Sequence, residues 1–252
     1  MTRTVNHLVA LGSGAIHIVR QVVAEPQNPA MLFSAEKDST AMAHLAIRAF
    51  YPGILPFLLL YVGSTWEFRS PIEFRDAFAS KHGLRLIPHA NEEGRAAGIN
   101  PFDHGERYTA IMRTEPLKAA LDAGEYDIIS GGDRRDEEKS RAKERIVSIR
   151  NAAHAWEPRQ QGPEIWKLDN ARLAKGHATR VLPLSNWTAT DICTYALFND
   201  IELALLYYAA PRPVAERSAP SSRSWITARW GSFLASERLS VTSASARSAA
   251  GR

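Results

Sequence analysis

Residues 30–40 read AMLFSAEKDST and pass from an apolar segment through a polar turn into a helical pattern. The apolar residues 30–33 follow Asn28-Pro29 and predict a short buried strand. Residues 39–50 have apolar side chains at helical spacing, and Pro52-Gly53 stops the pattern, which predicts a helix. A strand, a short polar turn and a helix in this order are a building unit of parallel α/β sheets.

The same alternation of short apolar runs and helical patterns continues along the chain. We expect further helices at 7–24, 71–82, 114–123 and 188–197, and further strands at 57–62, 84–87, 126–129 and 181–184. Strands that alternate with helices predict an α/β fold with a parallel sheet. Ligands of such sheets bind at the carboxyl ends of the strands, so the turns that follow the strands are the candidate site.

The turn after the first strand carries Lys37 and two hydroxyl residues, Ser39 and Thr40. Main-chain N–H groups at a helix N-terminus favour an anion, and Lys37 would add a positive charge for phosphate. The alternative is an ordinary helix start, in which Asp38 or Ser39 caps the helix and Lys37 lies in solvent. The spacing leaves both readings open, and it does not match the Walker pattern G-x-x-x-x-G-K-[ST].

The fourth strand is followed by Gly131-Gly132 and by the highly charged run 133–145, which has six basic and five acidic residues. On a helix, Arg135, Lys139 and Lys143 would form one cationic strip. Like charges at this spacing repel each other, so we expect the strip to face an anion. The alternative is a solvated helix with many salt bridges. The two glycines would allow the backbone to approach a ligand closely.

Composition limits the class of protein. The single cysteine, Cys193, excludes an internal disulfide and indicates a reducing, cytoplasmic location. Its helical context predicts a small core residue. The histidines show no metal-ligand spacing, so we predict no metal site formed by the protein itself. The longest nearly apolar run, residues 54–62, is too short to span a bilayer, and we expect no membrane partner.

The C-terminal part differs in amino-acid composition from the rest of the chain. Residues 218–252 contain ten serines and seven alanines, and their five arginines against one acid give the full net charge of +4. Residues 1–217 therefore sum to zero, which gives no reason to expect a nucleic-acid partner. We expect residues 1–217 to form one domain and residues 218–252 a low-complexity, poorly ordered tail.

Five stretches of the body match a known pattern. They are SAEKDS at 34–39, AFYPG at 49–53, GINPF at 98–102 with HG at 104–105, GGDRRDEEKSRAKER at 131–145, and PLSNWT at 183–188 with DI at 191–192. Together they resemble the small, catalytic subunit of bacterial ATP sulfurylase (sulfate adenylyltransferase subunit 2), a family that includes nodulation-associated copies. The likeness runs from about residue 7 to 217, and the run 134–145 is its most specific part. It implies an adenine-nucleotide α-hydrolase-like (PP-loop) fold.

The resemblance also implies a reaction. The family transfers AMP from ATP to sulfate, releases pyrophosphate, and works with a large GTPase subunit whose GTP hydrolysis drives the equilibrium. Mg²⁺ would bridge phosphate oxygens with few protein ligands. By resemblance, the catalytic residues are Lys37, Arg134, Arg135, Lys139 and Arg141. The nucleotide-binding residues are Ser34, Lys37, Asp38, Ser39, Thr40, Gly131 and Gly132.

Three departures from the family pattern bear on activity. The pattern S-x-G-K-D-S has Glu36 in place of glycine, and we expect its Cβ to restrict the backbone and its charge to repel phosphate. The pattern D-T-G-W-K-F becomes GSTWEF at 63–68, which lacks the acid and reverses the later charge. The resemblance also stops after Arg217.

These departures leave alternatives to an active sulfurylase. A catalytically degenerate subunit would bind the GTPase partner without turnover. The related reductase of adenylylated sulfate needs a reactive cysteine near its C-terminus, and residues 218–252 contain none. Another PP-loop ligase, which adenylylates a carboxylate or a tRNA base, is disfavoured by the run 131–145.

Overall fold

The computed structural model describes residues 2–24, 28–137, 141–151, 154, 156 and 178–209. Its helices are α1 (Thr2–Ala24), α2 (Lys37–Phe50), α3 (Arg69–Lys81), α4 (Glu92–Ala96), α5 (Pro101–His104), α6 (Glu106–Thr109), α7 (Glu115–Gly124) and α8 (Ala189–Phe198). Its strands are β1 (Pro29–Leu32), β2 (Leu58–Gly63), β3 (Leu86–Ala90), β4 (Ile128–Ser130), β5 (Val147–Arg150) and β6 (Ala178–Val181). A π-helical segment, Ala110–Thr114, joins α6 to α7, and 3₁₀ turns form at Arg141–Lys143 and Leu205–Tyr207.

The six strands form one sheet in the order β3-β2-β1-β4-β6-β5. All neighbouring strands are parallel except β5, which pairs antiparallel with β6 at one edge. The predicted α/β fold with a mostly parallel sheet is therefore confirmed. Strand β1 lies between β2 and β4, with Met31 opposite both Leu59 and Ser130. The turns that follow β1, β2 and β4 therefore lie next to one another at the carboxyl ends of these parallel strands.

The two faces of the sheet are covered by different helices because successive strand residues point to opposite sides. Met31 and Leu59 point to one side, where they pack in a core with residues of α1, α2 and α8. Ala30, Leu58 and Leu60 point to the other side and pack against α7. The five predicted helices correspond to α1, α2, α3, α7 and α8.

Helix α1 has the length and apolar composition that a membrane span requires, over Thr4–Ala24. Leu8, Ala15 and Val19 are nevertheless buried in the core beside α2. Only 28% of its apolar window is buried, so much of the helix faces outward. Its packing against α2 accounts for the apolar side chains on its inner face.

Three details differ from expectation. Strand β6 spans Ala178–Val181 rather than 181–184, because the chain enters a turn at Pro183. The edge strand β5 was not expected, since only Ser148 of its four residues is buried and the apolar signal is weak. The expectation that Cys193 lies in the core is wrong: it is exposed on α8, while the neighbouring Ile192 is buried. The tail, residues 218–252, lies outside the described residues.

Helices α2 and α8 meet at His44, which has an environment that resists protonation. Its Nδ1 lies 3.1 Å from the hydroxyl oxygen of Tyr195, and the two rings pack edge to face. Burial and the positive charges of Arg48 and His82 lower the pKa of His44 to about 4. The unfolded chain therefore binds a proton at this residue at a higher pH than the folded protein does.

The sign of this shift predicts loss of stability in mild acid. The contribution of neutral His44 to the unfolding free energy is fully present above its unfolded pKa of about 6.5. It is lost as the pH falls towards the folded pKa of about 4. We expect His44→Gln, which keeps a hydrogen-bonding group, to reduce the difference in unfolding free energy between about pH 7 and about pH 5. Urea unfolding at the two pH values measures this. His17→Gln, on the exposed face of α1, is the control, and an equal effect of both substitutions would contradict the assignment to His44.

Candidate active site

The short turn after β1 connects the strand to α2, so the first turn of α2 lies at the carboxyl end of β1. Ala35 has a positive φ of 60° and reverses the chain direction. Glu36 is the N-cap, and its side chain makes no capping hydrogen bond. The ordinary helix start capped by Asp38 or Ser39 is therefore wrong, because both lie inside the first turn. N–H groups left without a capping side chain at a helix N-terminus are an anion site.

The backbone of Glu36 is not restricted in the way expected from the sequence. Its φ of −83° and ψ of 166° are extended values that any residue adopts. The positive φ falls one residue earlier, at Ala35, which carries a small side chain. The expected strain of a Cβ at position 36 is therefore wrong. What remains of this departure is the negative charge, which is exposed beside the first turn of α2.

Polar side chains of the turn are held by one another. The Ser39 hydroxyl donates to the main-chain oxygen of Glu36 at 3.1 Å and lies 3.2 Å from the hydroxyl of Ser34. Lys37 Nζ donates to Asp38 Oδ2 at 2.8 Å. Burial opposes the charge on Lys37, but the Asp38 carboxylate outweighs it and raises the pKa of the lysine above its ordinary value. Lys37 therefore remains a cation at the edge of the turn.

The loop after β4 lies directly against this first helical turn. The guanidinium of Arg134 is only 4% exposed, and its Nε donates to Asp38 Oδ1 at 2.6 Å. A second nitrogen of Arg134 bonds to the carboxylate of Asp136. A Cβ on Gly132 would lie 3.3 Å from the main-chain nitrogen of Ser39, so glycine permits this close approach. The two turns that the sequence singled out are thus brought together.

The predicted cationic strip is not a feature of the described residues. Residues 135–137 form a turn and Arg141–Lys143 a 3₁₀ turn, so the expectation of one helix through 133–145 is wrong for this part of the chain. Arg135 donates to the main-chain oxygen of Glu144 at 3.3 Å and to the side chain of Asn186. Lys143 is exposed. Lys139 and the side chain of Arg141 lie outside the described residues.

The segment 183–188 connects the loop after β4 to α8. The main-chain oxygen of Ser185 accepts a hydrogen bond from the N–H of Arg135 at 3.1 Å. The N–H of Ala189, at the start of α8, donates to Asp136 at 3.1 Å. Thr188 and Asp191 form a capping box at the same helix end. These contacts give a structural reason for the motif PLSNWT followed by DI.

A cleft of about 540 Å³ opens beside the turn after β1. Its size lies within the usual range for small-molecule sites. Apolar side chains from β1, β2 and α7 line one part, among them Leu32, Leu60, Val62, Trp66, Phe68 and Leu117. Polar groups at the rim include Glu36, Glu67, Arg113 and Tyr207. An apolar recess next to a helix N-terminus without a capping side chain suits a molecule with a flat apolar part and an anionic part.

Tyr207 reaches this site from the far end of the described chain. Lys37 Nζ lies 5.9 Å from its ring centroid. Burial and the nearby carboxylates of Glu36 and Asp38 raise the pKa of Tyr207 above its ordinary value, although Lys37 opposes this. Tyr207 could not be predicted from local pattern, because its position beside the cleft depends on the path of the chain after α8.

Comparison with known proteins agrees with this geometry. The model of the phosphoadenosine phosphosulfate reductase domain matches residues 28–220. The chain is 55% identical over 212 residues to sulfate adenylyltransferase subunit 2 1 of Chromohalobacter salexigens, covering 84% of this chain and 70% of that protein. It is 55% identical over 218 residues to sulfate adenylyltransferase subunit 2 of Geotalea daltonii, covering 86% and 72% of the two chains.

Solved structures with low sequence identity share the fold. Phosphoadenylyl-sulfate reductase from Candida auris, a phosphate complex, has a TM-score of 0.55 at 13% identity, over 80% of this chain and 89% of that one. FMN adenylyltransferase from Candida glabrata in complex with ATP has a TM-score of 0.53 at 16% identity, over 79% and 59% of the two chains. Fold and relatives agree with the expected PP-loop architecture, and the chain belongs to the sulfate adenylyltransferase subunit 2 family.

Proposed function

We propose that this chain is the catalytic subunit of a sulfate adenylyltransferase, which transfers AMP from ATP to sulfate. The observation that carries the proposal is the uncapped first turn of α2, which lies beside Lys37 and opens into an apolar cleft. Helix N–H groups and a lysine suit the pyrophosphate part of ATP, and the apolar recess suits adenosine. The curated relatives are named for this activity.

The chemistry needs positioning more than it needs a covalent nucleophile. A sulfate oxygen attacks the α-phosphorus, a new oxygen–phosphorus bond forms, and the bond to pyrophosphate breaks. The N–H groups of residues 34–39 and Lys37 would stabilise the charge that builds on pyrophosphate. Arg135, Lys139 and Arg141 are our proposed contacts for sulfate and the α-phosphate.

Arg134 has a different place in the proposal. Its guanidinium is buried between the carboxylates of Asp38 and Asp136, so it holds the two turns together. The backbone of Gly131-Gly132 then lies against the first turn of α2, where it can border the phosphates. We therefore propose that Arg134 positions the two turns and does not bind sulfate directly.

Mg²⁺ fits the site as an ion carried by the substrate. Asp38 is already engaged by Lys37 and Arg134, whereas Glu36 is exposed beside the first turn. Within the described residues, His, Cys, Asp and Glu side chains do not converge in a group of three. Mg²⁺ often keeps few protein ligands and binds phosphate oxygens, where it neutralises charge.

The partner and the setting are also part of the proposal. Relatives named as a subunit 2 support assembly with another subunit. We infer a heterodimer with a large GTPase subunit that binds GTP, in the cytoplasm, where adenylyl sulfate supplies cysteine synthesis or sulfation of a nodulation signal. The exposed Glu36 favours one second candidate, a degenerate subunit that binds the GTPase without turnover.

The first test of the proposal is the reaction itself. The full chain, with its GTPase partner, ATP, GTP, Mg²⁺ and radiolabelled sulfate, is expected to form labelled adenylyl sulfate. The same mixture without ATP is the control. A complex that forms but never transfers label into a nucleotide would support the degenerate subunit instead.

The charge of Glu36 is expected to weaken ATP binding. A unit charge pair at about 4 Å and an effective dielectric of about 20 is worth roughly 4 kcal/mol, and if screening leaves about a quarter, affinity changes about fivefold. Glu36→Gly and Glu36→Gln should therefore tighten ATP·Mg binding alike, because the backbone at residue 36 is extended. Lys37→Ala should weaken it. Isothermal titration measures the four proteins.

Two outcomes would contradict this account of Glu36. Tightening by Glu36→Gly alone would assign the effect to the backbone rather than to the charge. No change in either variant would place the carboxylate away from the phosphates. Glu93→Gln, on the exposed surface of α4, is the matched control and should leave affinity unchanged.

Close approach at Gly132 predicts a binding defect for Gly132→Ala. The new Cβ would lie 3.3 Å from Ser39 N and 3.4 Å from the Asp38 carbonyl carbon, so the loop must move away from the first turn of α2. We expect pyrophosphate affinity to fall about tenfold, with a loss of roughly 1 kcal/mol in unfolding free energy. Gly14→Ala has open space around the Cβ and should leave affinity unchanged. Equal affinity of Gly132→Ala and wild type would show that the approach does not position the site.

A further inference from the structure

Glu67 lies in the loop after β2, and its carboxylate collects three hydrogen bonds. The Tyr61 hydroxyl donates to Oε2 at 2.7 Å. The main-chain N–H and the hydroxyl of Ser64 both donate to Oε1, at 2.7 and 2.9 Å. A carboxylate that accepts from a strand residue and from the loop fixes the loop relative to the strand.

The tyrosine partner is held in the donating form. Burial, followed by the hydrogen bond to Glu67, raises the pKa of Tyr61 well above its ordinary value. The guanidinium of Arg75 lies 4.2 Å from the Tyr61 ring centroid, which is the distance of a cation–π contact. Tyr61 is therefore fixed on both its ring and its hydroxyl, and it gives Glu67 a rigid anchor on β2.

The main chain at Ser64 is clamped on both sides. Glu67 accepts from its N–H, and the buried hydroxyl of Tyr108 donates to its carbonyl oxygen at 2.8 Å. The next residue, Thr65, has a positive φ of 68°, which is strained for a β-branched residue. Such strain persists where the surroundings hold it in place. The clamp sets the path of the loop that places Trp66 and Phe68 on the cleft wall.

The Glu67 carboxylate lies beside the last residue of β2, Gly63. A Cβ on Gly63 would lie 3.6 Å from Glu67 Oε2 and only 3.2 Å from Cε1 of the Tyr61 ring. The carboxylate and its tyrosine partner therefore pack closely against the end of β2.

We propose that Glu67 is a positioning residue for the nucleoside half of the cleft, because its carboxylate ties the loop after β2 to Tyr61 on the strand. This rests on the proposed function, because the ligand is ATP. The loop held by Glu67 forms the apolar wall, whereas pyrophosphate binds at the first turn of α2. Loss of Glu67 therefore affects the nucleoside and spares the pyrophosphate.

The test compares two probes on the full chain by isothermal titration, α,β-methylene ATP and inorganic pyrophosphate. Glu67→Ala is expected to raise the Kd for the nucleotide about tenfold and to leave the Kd for pyrophosphate within about twofold of wild type. Glu67→Gln should be intermediate, because its amide nitrogen cannot accept from Tyr61 or Ser64. Thermal unfolding shows which variants are folded.

Each other outcome overturns the inference. Equal losses for nucleotide and pyrophosphate would mean a general structural role. If Glu67→Ala does not fold, Glu67→Gln decides by the same criteria. A wild type that binds neither probe removes the proposed function as well. A wild type that binds both, with Glu67→Ala unchanged, removes this inference alone.

Discussion

The buried ion pair between Asp38 and Arg134 is the constraint on which the site depends. A guanidinium with 4% exposure is stable only when its charge is matched, and removal of one partner of such a pair costs about 3–5 kcal/mol. Asp38 lies in the first turn of α2, and Arg134 lies in the loop after β4. Lys37 and Asp136 extend the pair into a row of alternating charges. The row fixes the distance between the two turns before any ligand binds.

The two halves of the cleft are held by different physical means. Charges hold the turn after β1 against the loop after β4, whereas a hydrogen-bonded clamp holds the loop after β2. Asp136 links the charged contacts to α8, because its carboxylate also accepts a hydrogen bond from the main-chain N–H of Ala189 at the start of that helix. Tyr207, beyond α8, has its ring 5.9 Å from Lys37 Nζ. The proposed phosphate side is therefore coupled to the C-terminal part of the described fold, while the proposed nucleoside side is coupled to β2 and the segment around Tyr108.

Local pattern predicted the parts of the fold that are set by burial. The run at 30–33 and the helix at 39–50 were recognisable because Met31 and Leu45 belong to a continuous apolar face. The run 133–145 misled because its charges fit helical spacing, yet Arg134 and Arg135 bond to residues far away in the sequence. The clamp at Glu67 could not be predicted for a different reason. Its partners Tyr61 and Ser64 are near in the sequence, but their hydrogen bonds depend on the path of the loop, which the distant Tyr108 helps to fix.

The position of β1 in the sheet has a consequence for how the protein acquires its site. Met31 pairs with Ser130, so the two turns that border the proposed anion site come from strands roughly 100 residues apart in the sequence. Contacts of such long sequence separation form slowly, since closing a long loop costs entropy before any pairing rewards it. Helix α2 has local hydrogen bonds and does not wait for that closure. The proposed anion site also needs the loop after β4, so a chain that has its helices but lacks the pairing of β1 and β4 has no complete site.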